Sequence, residues 1–287
     1  MTDRHQPGER LQGERNCPMC SGDDFVVQFT YDRLMPLEVP FEFARTDSYW
    51  REIHRCEKCG HFVEGFSLDQ GALYSSDYVT STYQDADGLK RSFDKIMALP
   101  PEKSDNAGRV ECVLDYAMRH QSEGITQGKP TLLDVGSGLC VFAARMSEAG
   151  WDCTAIDLDE RLVEHAIRVA KVSAQLGDVR TVANVSHFDA VTFNKVLEHI
   201  ADPAAVLAAA HRLLKPGGFI YVEVPDGEAA APYGREREEF LVGHLHVFSR
   251  NSLRLLIEKS GCRASEVEAL REPSGKFTLR AFLDLSR

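Results

Sequence analysis

Apolar positions follow one pattern after Asn106 and another before it. After it, short apolar runs alternate with stretches whose apolar residues recur every three or four positions. The runs at 131–135, 152–156, 188–193 and 219–224 predict buried strands, with a weaker one at 173–176. Ahead of the first, Val110, Val113, Leu114, Ala117 and Met118 share one face of a helix. A helix over 140–149 is closed by Gly150, and Asp159 caps another that carries Leu162, Ala166 and Ile167. Asp202 and Pro203 supply a cap and a first-turn proline for a helix ending at Leu214. Ser249 caps a helix through Leu253, Leu256 and Ile257 that stops at Gly261. Finally the chain alternates, with Phe277, Leu279, Ala281, Leu283 and Leu285 on one face and Thr278, Arg280 and Asp284 on the other. Only a short turn at 272–275 precedes this strand, so it should pair antiparallel with a strand starting at Cys262. Strands separated by helices imply right-handed crossovers. The expected fold is α/β, a seven-stranded, mostly parallel sheet with an antiparallel last strand.

Before Asn106 the pattern is looser. Residues 1–15 are polar and read as a disordered leader. Residues 16–68 hold short β-like stretches and two Cys-x-x-Cys pairs, Cys17/Cys20 and Cys56/Cys59. Residues 69–105 read as a connector or lid with Tyr74, Tyr78 and Tyr83, and a helix over 89–99. The pattern of alternating strands and helices then occupies 106–287 as a second domain. Two Cys-x-x-Cys knuckles bring four thiolates together, the donor set of a closed, structural Zn2+ site. Gly60 suits the turn after the second pair. His54 and His61 lie nearby and read as bystanders. The small N-terminal module is therefore a zinc ribbon.

Bulk properties narrow the partners. The 287 residues carry 33 Lys and Arg against 44 Asp and Glu, a net charge of -11. Such a surface repels phosphate backbones and anionic lipid, so neither nucleic acid nor membrane is an expected partner. No signal peptide and no run long enough to span a bilayer is apparent. The remaining cysteines, Cys112, Cys140, Cys153 and Cys262, sit singly among apolar residues. That usage suits a reducing cytoplasm. The expected partner is a small molecule.

The strongest chemical signal is Leu132-Leu133-Asp134-Val135-Gly136-Ser137-Gly138, at a strand-to-helix turn. Glycines there let the backbone approach a ligand. Asp157, at the end of the next strand, is placed to accept from ribose hydroxyls. A carboxylate at Asp134 suits a cationic, amine-bearing ligand better than a pyrophosphate, and the third glycine of the dinucleotide pattern is replaced by Val141. Leu197-Glu198-His199 follows the fourth strand, and Leu213-Leu214-Lys215-Pro216-Gly217-Gly218-Phe219 leads into the fifth.

In this order and spacing, residues 131–287 resemble the class I methyltransferases, which have a Rossmann-like fold and use S-adenosyl-L-methionine. The resemblance implies that Gly136 and Gly138 line the methionine part of that cofactor and that Asp134 orders the pocket. It implies Asp157 on the ribose, Leu158 beside the adenine, Asp178 at the adenine amine, and Asn194 near the amino group. Cys140 stands where many relatives have a third glycine, and reads as packing rather than as a nucleophile.

The ribbon and Tyr-rich connector are similar to a bacterial branch that modifies sugars and secondary metabolites. Gly243-His244-Leu245-His246-Val247-Phe248-Ser249 matches the stretch where its sugar C-methyltransferases carry a Glu-His pair. Here the glutamate is Gly243, and no counterpart of their extra C-terminal domain follows. O-methylation of a sugar, glycan or related hydroxylated metabolite is therefore the favoured reading. His244 is the first candidate base and His246 the second, with Glu198 and His199 beside them. Tyr233 and the charged run at 235–239 read as a solvated loop or a substrate lid. Three alternatives stay open: a sugar C-methyltransferase, an RNA or protein methyltransferase whose ribbon reads the substrate, and a non-catalytic binding protein.

Overall fold

The computed structural model describes residues 4–13, 15–35, 38, 49–65, 85–120, 128–182 and 187–285. The readings placed on Tyr74, Tyr78 and Tyr83 lie outside the described residues. Two sheets organise the rest.

The first sheet has strand order β1-β2-β3-β4-β10, formed by β1 (Arg10–Gln12), β2 (Asp24–Tyr31), β3 (Arg51–Cys56), β4 (Phe62–Glu64) and β10 (His246–Val247). All its pairs are antiparallel. Two findings correct the sequence reading. Part of the supposed leader is the edge strand β1, with Leu11 buried opposite Phe25. A short apolar residue between charged neighbours gave too little periodicity to show it. The second is that β10 joins this sheet from far along the chain.

The second sheet has order β11-β12-β9-β8-β5-β6-β7. Its strands are β5 (Thr131–Val135), β6 (Asp152–Asp157), β7 (Ser173–Leu176), β8 (Phe188–Asn194), β9 (Leu214–Pro225), β11 (Cys262–Arg271) and β12 (Phe277–Leu285). Strands β5 through β9 pair in parallel, while β12 runs antiparallel to both β9 and β11. The expected architecture is therefore the observed one. β8 is buried along almost its whole length, as a central parallel strand covered on both faces must be.

Helices α1 (Ala86–Met97), α2 (Asp105–His120), α3 (Val141–Glu148), α4 (Glu160–His165, continued by a π turn over Ala166–Ala170), α5 (Pro203–His211) and α6 (Arg250–Lys259) connect and flank these strands. A short helical turn, Gly227–Ala230, follows β9. The caps lie where the sequence placed them. Asp159 accepts from Arg161 N, Asp202 from Ala205 N, and Ser249 and Ser252 form a reciprocal capping box. On one face of the sheet Leu133, Val191, Phe193 and Val222 pack with Leu207, Leu253 and Leu256. On the other, Phe142, Met146, Tyr116, Tyr221 and Phe282 pack together. Each such buried side chain contributes roughly 1.5–3 kcal/mol.

The face of β12 that carries Thr278 and Arg280 is covered too: Thr278 is wholly buried and Arg280 only 7% exposed, since β12 is an interior strand. Two further corrections concern the C-terminal half. α5 ends at His211, and β9 begins already at Leu214, because Leu214 pairs with Phe188 before a bulge at 215–218. The run at 235–239 is not a solvated loop. Glu239 is 3% exposed, pairs with Arg237 and accepts from Phe277 N, while Tyr31 donates its hydroxyl to the Arg235 carbonyl.

Candidate active site and metal centre

The glycine loop leaves the carboxyl end of β5 and enters α3. Gly136 has φ +66°, and a Cβ there would lie 2.8 Å from Val196 Cγ2. Gly138 also has positive φ (+51°), but a Cβ at that position would meet nothing within 4 Å. The backbone thus turns tightly at Gly136 and faces open space at Gly138. Cys140, at φ +60°, occupies the left-handed region that glycine favours, and is wholly buried. Burial pushes its thiol well above the ordinary range, which agrees with packing rather than nucleophilic chemistry.

Asp134 is 2% exposed and accepts from Thr192 Oγ1 (2.7 Å) and Asn194 Nδ2 (2.8 Å). Burial pushes its carboxyl up to about 6, against the pull of those two bonds. Asn194 Oδ1 is buried with no partner among the described residues. Asp157 accepts from Gly138 N (3.0 Å) and Asp159 N (3.1 Å), and burial raises its carboxyl too. Leu158 beside it is 67% exposed. Asp178 stands near the end of β7 and is paired with Arg180 at 2.5 Å, which holds its carboxyl low. An orphaned acceptor, one buried and one half-buried carboxylate, an open glycine and a bare apolar side chain fit a cofactor with an ammonium group, a ribose and a planar base.

Beyond β8 the chain makes a tight turn over Leu197–His199. Glu198 is 1% exposed, and its Oε2 has no partner among the described residues. His199 donates Nδ1–H to the Gly243 carbonyl (2.9 Å), and His244 donates Nδ1–H to the Glu239 carbonyl (2.8 Å). The two rings meet edge to face with centroids 4.8 Å apart. Burial, reinforced by His199, pushes His244 down to about 3. The structure therefore brings Glu198, His199 and His244 together. His246 is placed elsewhere. Its Nδ1 lies 3.1 Å from His61 Nε2, and His61 Nδ1 lies 3.2 Å from Ser252 Oγ, so His246 joins the first sheet to α6.

One polar group was missed by sequence reasoning. Glu223, in β9 opposite Asn194, is wholly buried and accepts from Arg109 (2.5 and 2.8 Å) and from Tyr221 (2.5 Å). Arg280 lies 3.6 Å away, and Lys195 donates to Thr278 at 2.6 Å. A lone carboxylate inside an apolar strand was the available signal.

The four thiols of the first sheet converge. Cys17 and Cys59 sulfurs are 3.6 Å apart, and those of Cys20 and Cys56 are 3.5 Å apart. Tetrahedral coordination with Zn–S near 2.3 Å places sulfurs ~3.8 Å apart, so the donor set and spacing fit zinc. The backbone amides of the knuckles are committed to turns: Ser21 N donates to Cys17 O, and Gly60 N to Cys56 O. His54 is engaged by Glu52 (2.7 Å) and His61 by Ser252 and His246, so both are bystanders. Lys259 donates to Pro18 O, and Ser249 to Cys59 O, so α6 is fastened onto both knuckles.

Residues 86–267 match the sequence model of the methyltransferase domain family, which is more than half of the chain. A ubiquinone biosynthesis O-methyltransferase of Bordetella avium is 29% identical over 197 residues, covering 64% of this chain and 77% of that protein. Its counterpart in Thiobacillus denitrificans is 38% identical over 101 residues, 31% of this chain. There the chain spans only 42% of the relative's length, and in that of Xanthomonas oryzae 45%. Among solved structures, the 1,6-didemethyltoxoflavin N1-methyltransferase of Burkholderia thailandensis superposes with a TM-score of 0.56 at 19% identity, over 83% of this chain and 96% of that one. Magnesium protoporphyrin IX methyltransferase from Synechocystis gives 0.55 at 13% identity, over 73% and 97%. The fold, the cofactor-type cradle and the family match agree: this chain belongs to the methyltransferase domain family, an S-adenosylmethionine-dependent methyltransferase fold carried beside a four-cysteine ribbon.

Proposed function

We propose that the protein transfers a methyl group from S-adenosyl-L-methionine to a hydroxyl of a small acceptor, a sugar, glycan or secondary metabolite. The observation that carries this is a juxtaposition. The cradle around Asp134, Gly138 and Asp157 and the cluster of Glu198, His199 and His244 stand at the carboxyl ends of neighbouring parallel strands, the edge where such sheets bind ligands. The relatives named as O-methyltransferases support oxygen as the methylated atom.

When bound, the cofactor supplies an electrophilic methyl on a sulfonium. Asp134 and Asn194 would hold the amino end, Gly136 and Gly138 would line the methionine chain, Asp157 would take the ribose hydroxyls, and Leu158 and Asp178 would flank the base. His244 Nε2 would accept the hydroxyl proton as the acceptor's oxygen takes the methyl group. Because Nδ1–H is committed to Glu239, that nitrogen carries the lone pair. Alignment of donor and acceptor supplies much of the acceleration. Residues 16–68 act as the zinc ribbon and 106–287 as the catalytic domain, with the ribbon zinc structural. No described helix is long and apolar enough to cross a membrane, and the four isolated cysteines are all unbridged, which supports the cytoplasmic reading.

The test is calorimetry with S-adenosylmethionine, followed by a screen of sugar nucleotides, glycosides and phenolic metabolites for formation of S-adenosylhomocysteine. Binding without turnover on any hydroxylated acceptor would count against the enzyme reading. In His244→Ala, cofactor affinity should persist while turnover falls by about 10²–10⁴-fold.

A further inference from the structure

We propose that Lys195 receives a carboxylate of the acceptor, so that the molecule methylated is a hydroxylated acid, such as a uronic acid or an aromatic hydroxy acid. This rests on the methyl-transfer reading above and narrows its acceptor class. Three observations support it. The first is the backbone. Lys195 follows Asn194 at the end of β8 and has φ +60°, a left-handed conformation that a lysine adopts at a cost. Its amide donates to the Glu223 carbonyl (3.0 Å), which holds the turn in place. The ammonium is thereby aimed at Thr278 Oγ1 (2.6 Å), on β12 where that strand pairs with the carboxyl end of β9. Strained residues of this kind gather where function needs a particular side-chain direction.

The second is charge. An ammonium carries three donors, and Thr278, a neutral acceptor, takes one. No carboxylate among the described residues comes within 4.0 Å of it. Glu223 is committed to Arg109 and Tyr221, and Glu272 faces Arg280 at 3.7 Å. Desolvation lowers the Lys195 pKa, against the longer-range pull of Glu223 and Glu198. A desolvated cation without a counter-ion is unfavourable, and an anion brought by the ligand relieves it. One ammonium with two donors to spare balances a carboxylate. A phosphate dianion would need a second cation, and Arg109 and Arg280 are already paired. The third is position. Asn194, on one side of Lys195, belongs to the cofactor cradle, and Val196, on the other, stands against Gly136. The charge of Lys195 also helps to push His244 down, which places the ammonium near the base. A carboxylate on Lys195 would set a hydroxyl of the same molecule between cradle and base.

Matched pairs test this. The full chain, loaded with S-adenosylhomocysteine, is titrated by calorimetry with methyl glucuronoside against methyl glucoside, and with 3-hydroxybenzoate against 3-hydroxybenzamide. At least one acid should bind about ten- to a hundredfold more tightly than its neutral partner, the worth of one charge-assisted hydrogen bond. Lys195→Met should erase that difference, and Lys195→Arg should restore part of it. Circular dichroism and S-adenosylmethionine calorimetry on both variants report folding and an intact cradle. A preference for neither acid overturns the proposal. So does a preference that survives Lys195→Met, or an equal loss for acid and neutral compound, which marks a structural role. These results leave the methyltransferase reading in place. Failure of the parent protein to bind S-adenosylmethionine would sink that reading, and the proposal with it.

Discussion

Asp134 is the residue on which the cofactor reading depends most. Its carboxylate is buried, held by Thr192 and Asn194, and raised to about 6 by desolvation. A cationic ligand binds the ionised form. S-adenosylmethionine affinity should therefore be flat above pH 7 and decline as pH falls through about 6. The same burial means that the empty cradle destabilises the ionised carboxylate, and a bound cation draws its pKa back down. In Asp134→Asn the geometry survives and the charge does not. Losing a charge-assisted hydrogen bond of roughly 1.5–3 kcal/mol should weaken binding ten- to a hundredfold. Calorimetry across pH 5–8 measures both effects, and an unchanged dissociation constant in Asp134→Asn would reject the assignment.

At the scale of elements, β12 shows what the sequence can and cannot state. Its alternation was legible, and Leu279, Ala281 and Leu283 do face the core. What lay against the other face was not. Phe282 stacks on Tyr116 with ring centroids 3.8 Å apart and an interplanar angle of 2°, on the face the alternation had given to polar residues. Phe282→Ala should cost about 3–5 kcal/mol, read from chemical denaturation, because a rigid stack leaves a cavity that cannot collapse. The glycine loop, the caps and the central strands were legible because each depends on nearby residues. Glu223 with Arg109, and His246 with His61, were not, because the partners are far apart in sequence. The pairing of His199 with His244 was only half visible: both residues stood out, but nothing local said that their rings would meet.

Across the whole molecule, buried polar bonds tie the first sheet to the loop that carries His244. Arg51 is 1% exposed, pairs with Glu38 (2.6 Å) and Glu64 (3.3 Å), and donates to the Phe240 carbonyl (2.9 Å). Glu38 also accepts from Val242 N. These bonds fix the loop that carries His244. A zinc ion held by the four thiols would brace this arrangement, so a strong chelator should lower the melting temperature and, before global unfolding, reduce turnover. A thermal scan alongside an activity assay checks this, and full activity in the metal-free ribbon would separate the two modules. Arg51→Met should have a related effect, since breaking a buried pair from one side costs about 3–5 kcal/mol.

The pairing of β4 with β10 also sets an order of assembly. His61 and its partner His246 are 185 residues apart, so the first sheet to emerge during synthesis is among the last to be finished. Until β10 arrives, the buried strand Phe62–Glu64 is an open edge. Such long-range closure slows folding and leaves a nascent chain prone to association with its copies. Chains stalled between β9 and β10 should then be the ones that most need chaperones.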